Sequence, residues 1–309
     1  MIPISLPNGT VPLDHWGLIR ASGPDAVKFL QSQLTSDVAA LGPDRAQLSA
    51  YCSAKGRMQA SFVIWQPTSE EVLLACSASV LAATLKRLSM FVLRSRCKLT
   101  DGGPQRRLHG AVGAHATTLI GETPVWGTRA IPGGTLVRLP DVQGIARALT
   151  EVAATTVADP ALALDAWRLL EVRSGVPLVE AATAEQFVPQ MLNYEVVGGV
   201  DFGKGCYPGQ EVVARSQYRG TIKRRMFLFE CDLPMQAGQE VFHSLDAGQP
   251  AGMVVNAAPL PDQAGSVALV EVKLSTLGDG NLHLGAPDGA RLRLGTLPYA
   301  LPCEASLSA

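Results

Sequence analysis

The residues with the clearest chemical potential lie between Lys204 and Arg225, where one cysteine is surrounded by positive charge. This window holds six Lys or Arg side chains and one acid, Glu211, so its formal charge is +5 in a chain whose net charge is −1. A partly exposed thiol near cations is favoured as the thiolate, which is both a nucleophile and a metal ligand. Cys206 is therefore a candidate functional thiolate, with Lys204 as its nearest cation in sequence. The alternative is a small buried packing residue, the state of most free cysteines.

The residues after the cysteine predict a tight turn. In Tyr207-Pro208-Gly209-Gln210, proline suits the second position of a type II turn, and glycine supplies the positive φ of the third position. Proline also disfavours helical backbone at the residue before it. We therefore expect Cys206 to lie in a loop just before the turn, outside any helix.

Length and composition limit the classes of function. A chain of 309 residues exceeds one core, so we expect two or three domains. The pI of about 6.5 argues against a protein that coats nucleic acid. We expect a cytoplasmic protein, because there is no charged segment followed by an apolar run at the start and no apolar run long enough to span a membrane. The cysteines show no zinc or ferredoxin spacing, and we expect no resident metal site; they are Cys52, Cys76, Cys97, Cys206, Cys231 and Cys303.

Hydrophobic periodicity predicts an α+β fold. Predicted helices cover 24–43, a segment capped by Ser77, 141–156 and 161–174. Predicted strands cover 46–52, 58–65, 71–76, 93–99 and 135–139. From Met226 onward the chain has only short β-like runs separated by Gly, Pro, Asp and Asn, which predicts a β-barrel or sandwich. We expect an α+β ferredoxin-like part at 1–100, a second α+β part at 101–225 that carries the cysteine loop, and a C-terminal β-barrel at 226–309.

The octapeptide from Lys204 to Glu211, KGCYPGQE, resembles the K-G-C-Y-x-G-Q-E signature of the YgfZ family. This family is the folate-binding branch related to the glycine-cleavage T-protein. Flanking segments are similar as well, and the resemblance covers most of the chain. They are 175–177, 186–190, Asn193, 198–199, 214–215, 219–220 and 223–224, with 25–37 and 52–58 near the N-terminus.

The resemblance implies a three-domain T-protein-like cloverleaf around a folate-sized hole. It also implies support of iron–sulfur cluster assembly or repair, for cluster enzymes such as those that thiolate tRNA. Partners would be these enzymes or assembly proteins, and the cofactor would be tetrahydrofolate or a derivative. Cys206 and Lys204 would carry the chemistry. The residues implied to bind folate are Glu171, Arg173, Gln190, Asn193, Tyr207, Gln210, Glu211 and Arg215.

Two departures from the T-protein pattern argue against aminomethyltransferase activity. T-proteins carry an Asp-Asp pair that serves the chemistry on folate, whereas this chain has Ala60-Ser61, which cannot act as carboxylates. T-proteins also place a pterin-binding glutamate two residues before a glycine. Here Arg173 has that spacing from Gly175, and Glu171 lies a further two residues earlier, about 200° away around a helix.

Three hypotheses of function remain open. The first is an iron–sulfur accessory protein with Cys206 as its thiolate. The second is a folate-dependent one-carbon transferase, which needs a carboxylate from elsewhere in the pocket. The third is a non-catalytic RNA- or protein-binding module with weak RNA contact through the basic strip 215–225. The five histidines form no recognisable site with the cysteine. Trp16, Trp65, Trp126 and Trp167 are interpreted as core residues or as the walls of an aromatic ligand site.

Overall fold

The computed structural model describes residues 7–155, 162–218, 222–261 and 264–302. In these ranges the chain forms three antiparallel sheets and five α-helices. The helices are α1 (Ala26–Gln31), α2 (Ala78–Ser89), α3 (Gly113–Ile120), α4 (Leu164–Arg173) and α5 (Gln210–Tyr218). The strands are β1 (Gly9–Pro12), β2 (Trp16–Ser22), β3 (Ala46–Cys52), β4 (Met58–Thr68), β5 (Glu71–Ser77), β6 (Lys98–Asp101), β7 (Arg106–Val112), β8 (Thr128–Ile131), β9 (Gly134–Val142), β10 (Ile145–Ala153), β11 (Arg224–Cys231), β12 (Glu240–His243), β13 (Gly252–Pro259), β14 (Ser266–Lys273), β15 (Leu282–Leu284) and β16 (Arg293–Leu294).

The first sheet has the strand order β3-β4-β5-β2-β6 and is buried on both faces. On β4, Phe62 and Ile64 pack with α1 and α2, while Val63 and Trp65 join the core at the centre of the molecule. This alternation follows from the two-residue period of a strand. One face of the sheet therefore holds two helices, and the other contributes to the centre.

The second sheet has the order β1-β7-β10-β9-β8 and packs α3 on one face. The indole of Trp167, from α4, lies against the other face over Gly110 of β7. A Cβ at Gly110 would overlap that ring, so glycine permits the close approach. Trp167 is 1% exposed and belongs to the central core. This contact fixes α4 between the second sheet and the centre.

The third sheet has the order β15-β12-β13-β14-β11-β16 and is almost closed into a barrel. Its two edge strands approach each other, because the amide of Leu292 donates to the carbonyl of Leu282 and the amide of Leu284 donates to that of Ala290. Helix α4 packs on the outside of β13 and β14. The expected α+β fold with a C-terminal barrel is confirmed.

Three predicted elements are wrong. The helix predicted over 24–43 ends at Gln31, because the Gln31 side chain accepts the amide of Val38 and Asp37 accepts that of Ala39, replacing helical bonds. The helix predicted over 141–156 is a hairpin of β9 and β10. The strand predicted over 93–99 begins only at Lys98, and residues 93–95 form a loop.

The domain boundaries at 100 and 225 remain a proposal. Most of the three sheets falls within the three proposed parts, but β1, at the start of the chain, pairs with β7 of the second sheet. A single hydrophobic cluster takes side chains from all three sheets, including Trp65, Leu149 and Leu269. The three parts therefore share one continuous core.

Candidate functional site

The Cys206 loop is held to the body of the protein on the N-terminal side of the cysteine. The carboxylate of Asp201 accepts the amides of Gly203 and Lys204, at 2.7 and 3.1 Å. The Lys204 ammonium donates to the carbonyls of Gln31 and Leu34, at 2.5 and 2.6 Å. These are carbonyls at and after the C-terminal end of α1, where a cation is favourable. Lys204 therefore anchors the loop.

Burial lowers the pKa of Lys204. The residue is 8% exposed, and its burial lowers the pKa of the ammonium to about 8, against the opposing influence of Asp37 and Asp201. Its ammonium also lies 5.3 Å from the centre of the Tyr207 ring. The cation nearest to Cys206 in sequence is thus committed to carbonyl oxygens and an aromatic ring.

The turn after the cysteine confirms the sequence prediction. Gly209 has φ +79°, and the amide of Gln210 donates to the carbonyl of Tyr207 at 3.2 Å. A Cβ on Gly209 would overlap the carbonyl of Ser53, so the 53–57 loop packs directly on this turn. Helix α5 begins at Gln210 and buries Val213. The loop is therefore fixed on the C-terminal side as well.

Between these anchors, Gly205 and Cys206 are exposed. The other cysteines that the structure describes are buried: Cys52, Cys76, Cys97 and Cys231. Burial raises the pKa of Cys52 and of Cys76 to about 12, so both remain protonated and unreactive at neutral pH. Cys303 lies outside the described residues. Within the described chain, Cys206 is the thiol that a partner molecule can reach.

Cys206 lies at the edge of an open groove, which we call the Cys206 groove. Its walls are α1, the loop 91–95 and residues 205–206. Phe91 and Leu93 line it as apolar side chains, and Lys28 and Arg94 line it as cations. The groove therefore combines an accessible thiol with apolar and positively charged walls.

The basic strip 215–225 is less basic at the surface than its sequence indicates. Arg224 pairs with the buried carboxylate of Glu271, and Arg225 pairs with buried Glu195. Arg215 is exposed and lies 3.4 Å from Glu211 on α5. Arg219 lies outside the described residues, and Lys223 is exposed. The last two arginines of the strip are therefore engaged in ion pairs with buried acids.

A second candidate site is a cavity at the centre of the molecule, where the first two sheets meet α4. Trp16, Trp126 and Trp167 line it, whereas Trp65 belongs to the core. Flat indole faces are suited to stacking on a heteroaromatic ring. The sequence indicated this possibility for four tryptophans, and the structure selects three of them.

Glu171 supplies the carboxylate of this cavity. Its Oε1 accepts the indole N–H groups of Trp16 and Trp167, each at 2.6 Å, and its Oε2 lies 2.8 Å from Nε2 of His15. Nδ1 of His15 is buried and has no hydrogen-bond partner among the described residues. The wall of the cavity thus contains a strongly held carboxylate, whereas His15 does not line the cavity.

Arg147 supplies a buried cation that sequence reasoning missed. It comes from β10, the strand predicted as a helix, and is 3% exposed. Its guanidinium donates to the carbonyl of Pro140 and lies 5.8 Å from the centre of the Trp167 ring. Burial lowers its pKa to about 10, so it remains charged at neutral pH. The cavity therefore presents both a cation and an anion.

Ala60 and Ser61, the residues expected at the positions of the T-protein Asp pair, have different surroundings. Ser61 lines the cavity, donates to the carbonyl of Pro177 and accepts the amide of Val179. Ala60 points away, into the core beneath α1 and α2. Of these two residues only Ser61 faces the cavity, and its hydroxyl is already hydrogen-bonded to the backbone.

Of the eight residues expected to bind folate, the structure brings only Glu171 to the cavity wall. Arg173 lies 3.3 Å from the side chain of Gln143. The others lie in the segment 189–193, in the Cys206 loop or on α5, and they have separate contacts. Gln190 bonds to Val213, Asn193 to Met226, Tyr207 packs under Lys204, Gln210 starts α5, and Glu211 and Arg215 are exposed.

The described residues were expected to hold no resident metal and to have no membrane-spanning segment. They contain no group of three or more His, Cys, Asp or Glu side chains arranged to hold a metal ion. None of their helices has the length and apolar character needed to cross a membrane.

Comparison with known proteins places the chain in a family. It is 31% identical over 316 residues to tRNA-modifying protein YgfZ of Yersinia pestis (strain Pestoides F), covering 96% of this chain and 94% of that protein. It is 29% identical over 318 residues to the protein of the same name from Sodalis glossinidius (strain morsitans), with the same coverage. None of the protein-family models searched matches the chain.

The fold has a solved counterpart. The structure superimposes on glycine cleavage system aminomethyltransferase T from Bartonella henselae with a TM-score of 0.76, at 17% sequence identity, covering 95% of this chain and 86% of that one. This likeness confirms the T-protein-like fold expected from the sequence. The 31% identity to the Yersinia pestis protein along nearly the whole chain shows that the protein belongs to the YgfZ family.

Proposed function

We propose that this protein is a folate-binding accessory factor for the assembly or repair of iron–sulfur clusters, and that it supports cluster enzymes such as those that thiolate tRNA. The observation that carries the proposal is the exposed thiol of Cys206, presented by a loop anchored on both sides. A fixed, accessible thiolate is suited to transient contact with iron or with a sulfur atom of another protein. The curated relatives are named as tRNA-modifying proteins, which agrees with this pathway.

The test is complementation of a bacterial strain that lacks its own YgfZ-type protein. We expect this chain to restore a cluster-dependent tRNA thiolation, measured as the level of the thiolated nucleoside, while an empty vector does not. A cluster-independent tRNA modification, measured in the same samples, is the control and should not change. Absence of rescue by a protein that is expressed and folded would contradict the proposal.

The side-chain chemistry of the central cavity suits a tetrahydrofolate. Three indole rings suit the pterin ring, Glu171 suits its N–H donors, and Arg147 suits an oxygen acceptor. The free space is about 50 Å³, which is smaller than a pterin ring, so we expect the partly buried Trp16 and Trp126 to shift on binding. When bound, the folate would supply a carrier for one-carbon groups. Glu171 and Arg147 would orient it, and the indoles would exclude water.

Folate binding is expected to change tryptophan fluorescence. Titration with 5-formyltetrahydrofolate should quench the emission saturably, because three of the four tryptophans line the cavity. Glu171→Gln should weaken binding about tenfold or more, as expected for loss of a hydrogen bond to a charged group. Glu211→Gln, at an exposed acid that the family resemblance also implicates, is the matched control and should leave affinity unchanged.

A correction for light absorbed by the ligand, made with free N-acetyltryptophanamide, accompanies the titration. The assignment of folate to the cavity fails if no saturable change remains after this correction. Equal loss of affinity in both glutamate variants would also overturn it.

The structure gives less support to the two alternatives. A one-carbon transferase needs a carboxylate that is free to act on the folate, but the one carboxylate that the described residues bring to the cavity, Glu171, is assigned above to hold the pterin ring. An RNA module on the strip 215–225 needs exposed arginines, but Arg224 and Arg225 form ion pairs with buried acids.

A further inference from the structure

The loop next to Cys206 exposes more apolar surface than a solvated turn requires. Within four residues, Met90 is 66% exposed, Phe91 44% and Leu93 86%. Phe91 and Leu93 line the Cys206 groove itself. Adjacent exposed apolar side chains beside a concave surface are typical of a site that another molecule covers.

The same segment is strongly basic. Residues 86–98 contain five Lys or Arg side chains and no Asp or Glu, although the whole chain has a net charge of −1. Lys28 and Arg94 line the groove, and neither has an ion-pair partner among the described residues. The one acid in the groove wall, Asp25, already pairs with Arg96. The groove is therefore positive, and its complement is an acidic molecule.

We propose that the Cys206 groove is the docking site for an acidic segment of a partner protein. Apolar side chains of that segment would cover Phe91 and Leu93, its acids would face Lys28 and Arg94, and a cysteine within it would reach Cys206. This inference rests on the proposed function in one respect, namely that the partner segment carries a cysteine that meets Cys206. The apolar and charged contacts are inferred from the walls of the groove alone.

Two features favour a protein over the other acidic macromolecules. Single-stranded RNA is bound by aromatic platforms on which bases stack, whereas the exposed side chains beside this groove are mainly aliphatic and include one aromatic ring, Phe91. A membrane surface is bound by a flat amphipathic face, whereas these residues border a concave groove that ends at a thiol. Mixed apolar and charged walls suit a peptide segment with acidic and apolar side chains.

Thiol exchange with activated peptides tests the proposal. Three peptides of equal length carry a central cysteine as a neutral thiopyridyl disulfide, flanked by Glu and Leu, by Lys and Leu, or by Glu and Ser. The Cys206 thiolate attacks the peptide sulfur, a new S–S bond joins protein and peptide, and thiopyridone leaves, so no external oxidant is needed. The assay uses the full chain with Cys303→Ser, and a further Cys206→Ser protein gives the background rate.

At low salt we expect the Glu/Leu peptide to react about tenfold faster than either of the others. The pair Lys28→Glu and Arg94→Glu should reverse the preference for Glu over Lys. The pair Phe91→Ser and Leu93→Ser should remove the preference for Leu over Ser. Uncharged dithiodipyridine reports the intrinsic reactivity of the thiol without docking, so the peptide rate of each Cys206-containing protein is divided by its rate with this reagent.

Equal rates for the three peptides would overturn the proposal, as would preferences that survive both pairs of substitutions. So would tighter binding of an oligouridylate or of phosphatidylserine vesicles that is lost in the glutamate variants while the peptides react alike. Rescue of tRNA thiolation together with equal peptide rates would reject only the docking site. Peptide selectivity without rescue would reject only the proposed function.

Discussion

Replacing Arg225 with methionine is expected to lower the free energy of unfolding by about 3–5 kcal/mol, because it leaves a charged Glu195 buried without its partner. Both side chains are 7% exposed. The Arg225 guanidinium also donates to the carbonyl of Gln190 and to Asn193, and Asn193 in turn donates to the carbonyl of Met226. This network joins the segment 189–195 to the first strand of the barrel, so its loss loosens the region that carries the Cys206 loop.

The measurement is urea denaturation followed by circular dichroism, without folate. Adding Glu195→Gln to the Arg225→Met protein removes the unpaired charge and should recover part of the lost stability. A matched surface control is Arg215→Met, whose pairing with Glu211 is exposed and should matter by less than about 1 kcal/mol. Equal small effects at Arg225 and Arg215 would contradict the role given to the buried network.

The strands of the first sheet and the turn after Cys206 could be predicted, because residues close together in sequence determine them. The strands 46–52, 58–65 and 71–76 and the helix after Ser77 match β3, β4, β5 and α2 closely. The side chain of Ser77 accepts the amide of Ser79, as expected for a helix cap. The positive φ of Gly209 follows from the turn sequence alone. Each of these depends on residues within a few positions.

The cavity could not be predicted, because tertiary contacts decide it. Residues 141–156 are rich in alanine and resemble a helix, but Gln143 and Gly144 both have positive φ and form a two-residue hairpin turn. The strand after that turn lies in the middle of the second sheet and carries Arg147 to the cavity. Gly144, a residue that favours turns and interrupts the helical pattern before Ile145, is the sequence signal that could have revealed the hairpin.

The placement of Glu171 shows the same limit. Sequence spacing placed Arg173 where a T-protein has its pterin glutamate. Helical geometry points the side chains of Glu171 and Arg173 in directions about 200° apart. In the structure Glu171 faces the cavity and Arg173 faces Gln143. The hydrogen bonds from Trp16 and Trp167 that hold Glu171 come from residues distant in the chain or one helical turn away, so motif spacing alone does not show them.

Substituting Cys206 with serine is expected to abolish the biological activity while the protein stays folded. The residue is exposed and its loop is anchored by Lys204 and by the Gly209 turn, so the sulfur contributes little to packing. A serine hydroxyl has nearly the same size, but it does not ionise at neutral pH and is a poor ligand for iron. The change therefore removes the sulfur atom and preserves the shape of the loop.

The decisive measurement for the role of Cys206 is the level of a cluster-dependent thiolated nucleoside in tRNA from a strain that lacks its YgfZ-type protein. The strain carries the wild type, Cys206→Ser or Cys231→Ala at equal expression, the last altering a buried cysteine of the barrel. We expect rescue by the wild type and by Cys231→Ala, and none by Cys206→Ser. Equal rescue by Cys206→Ser would contradict this expectation.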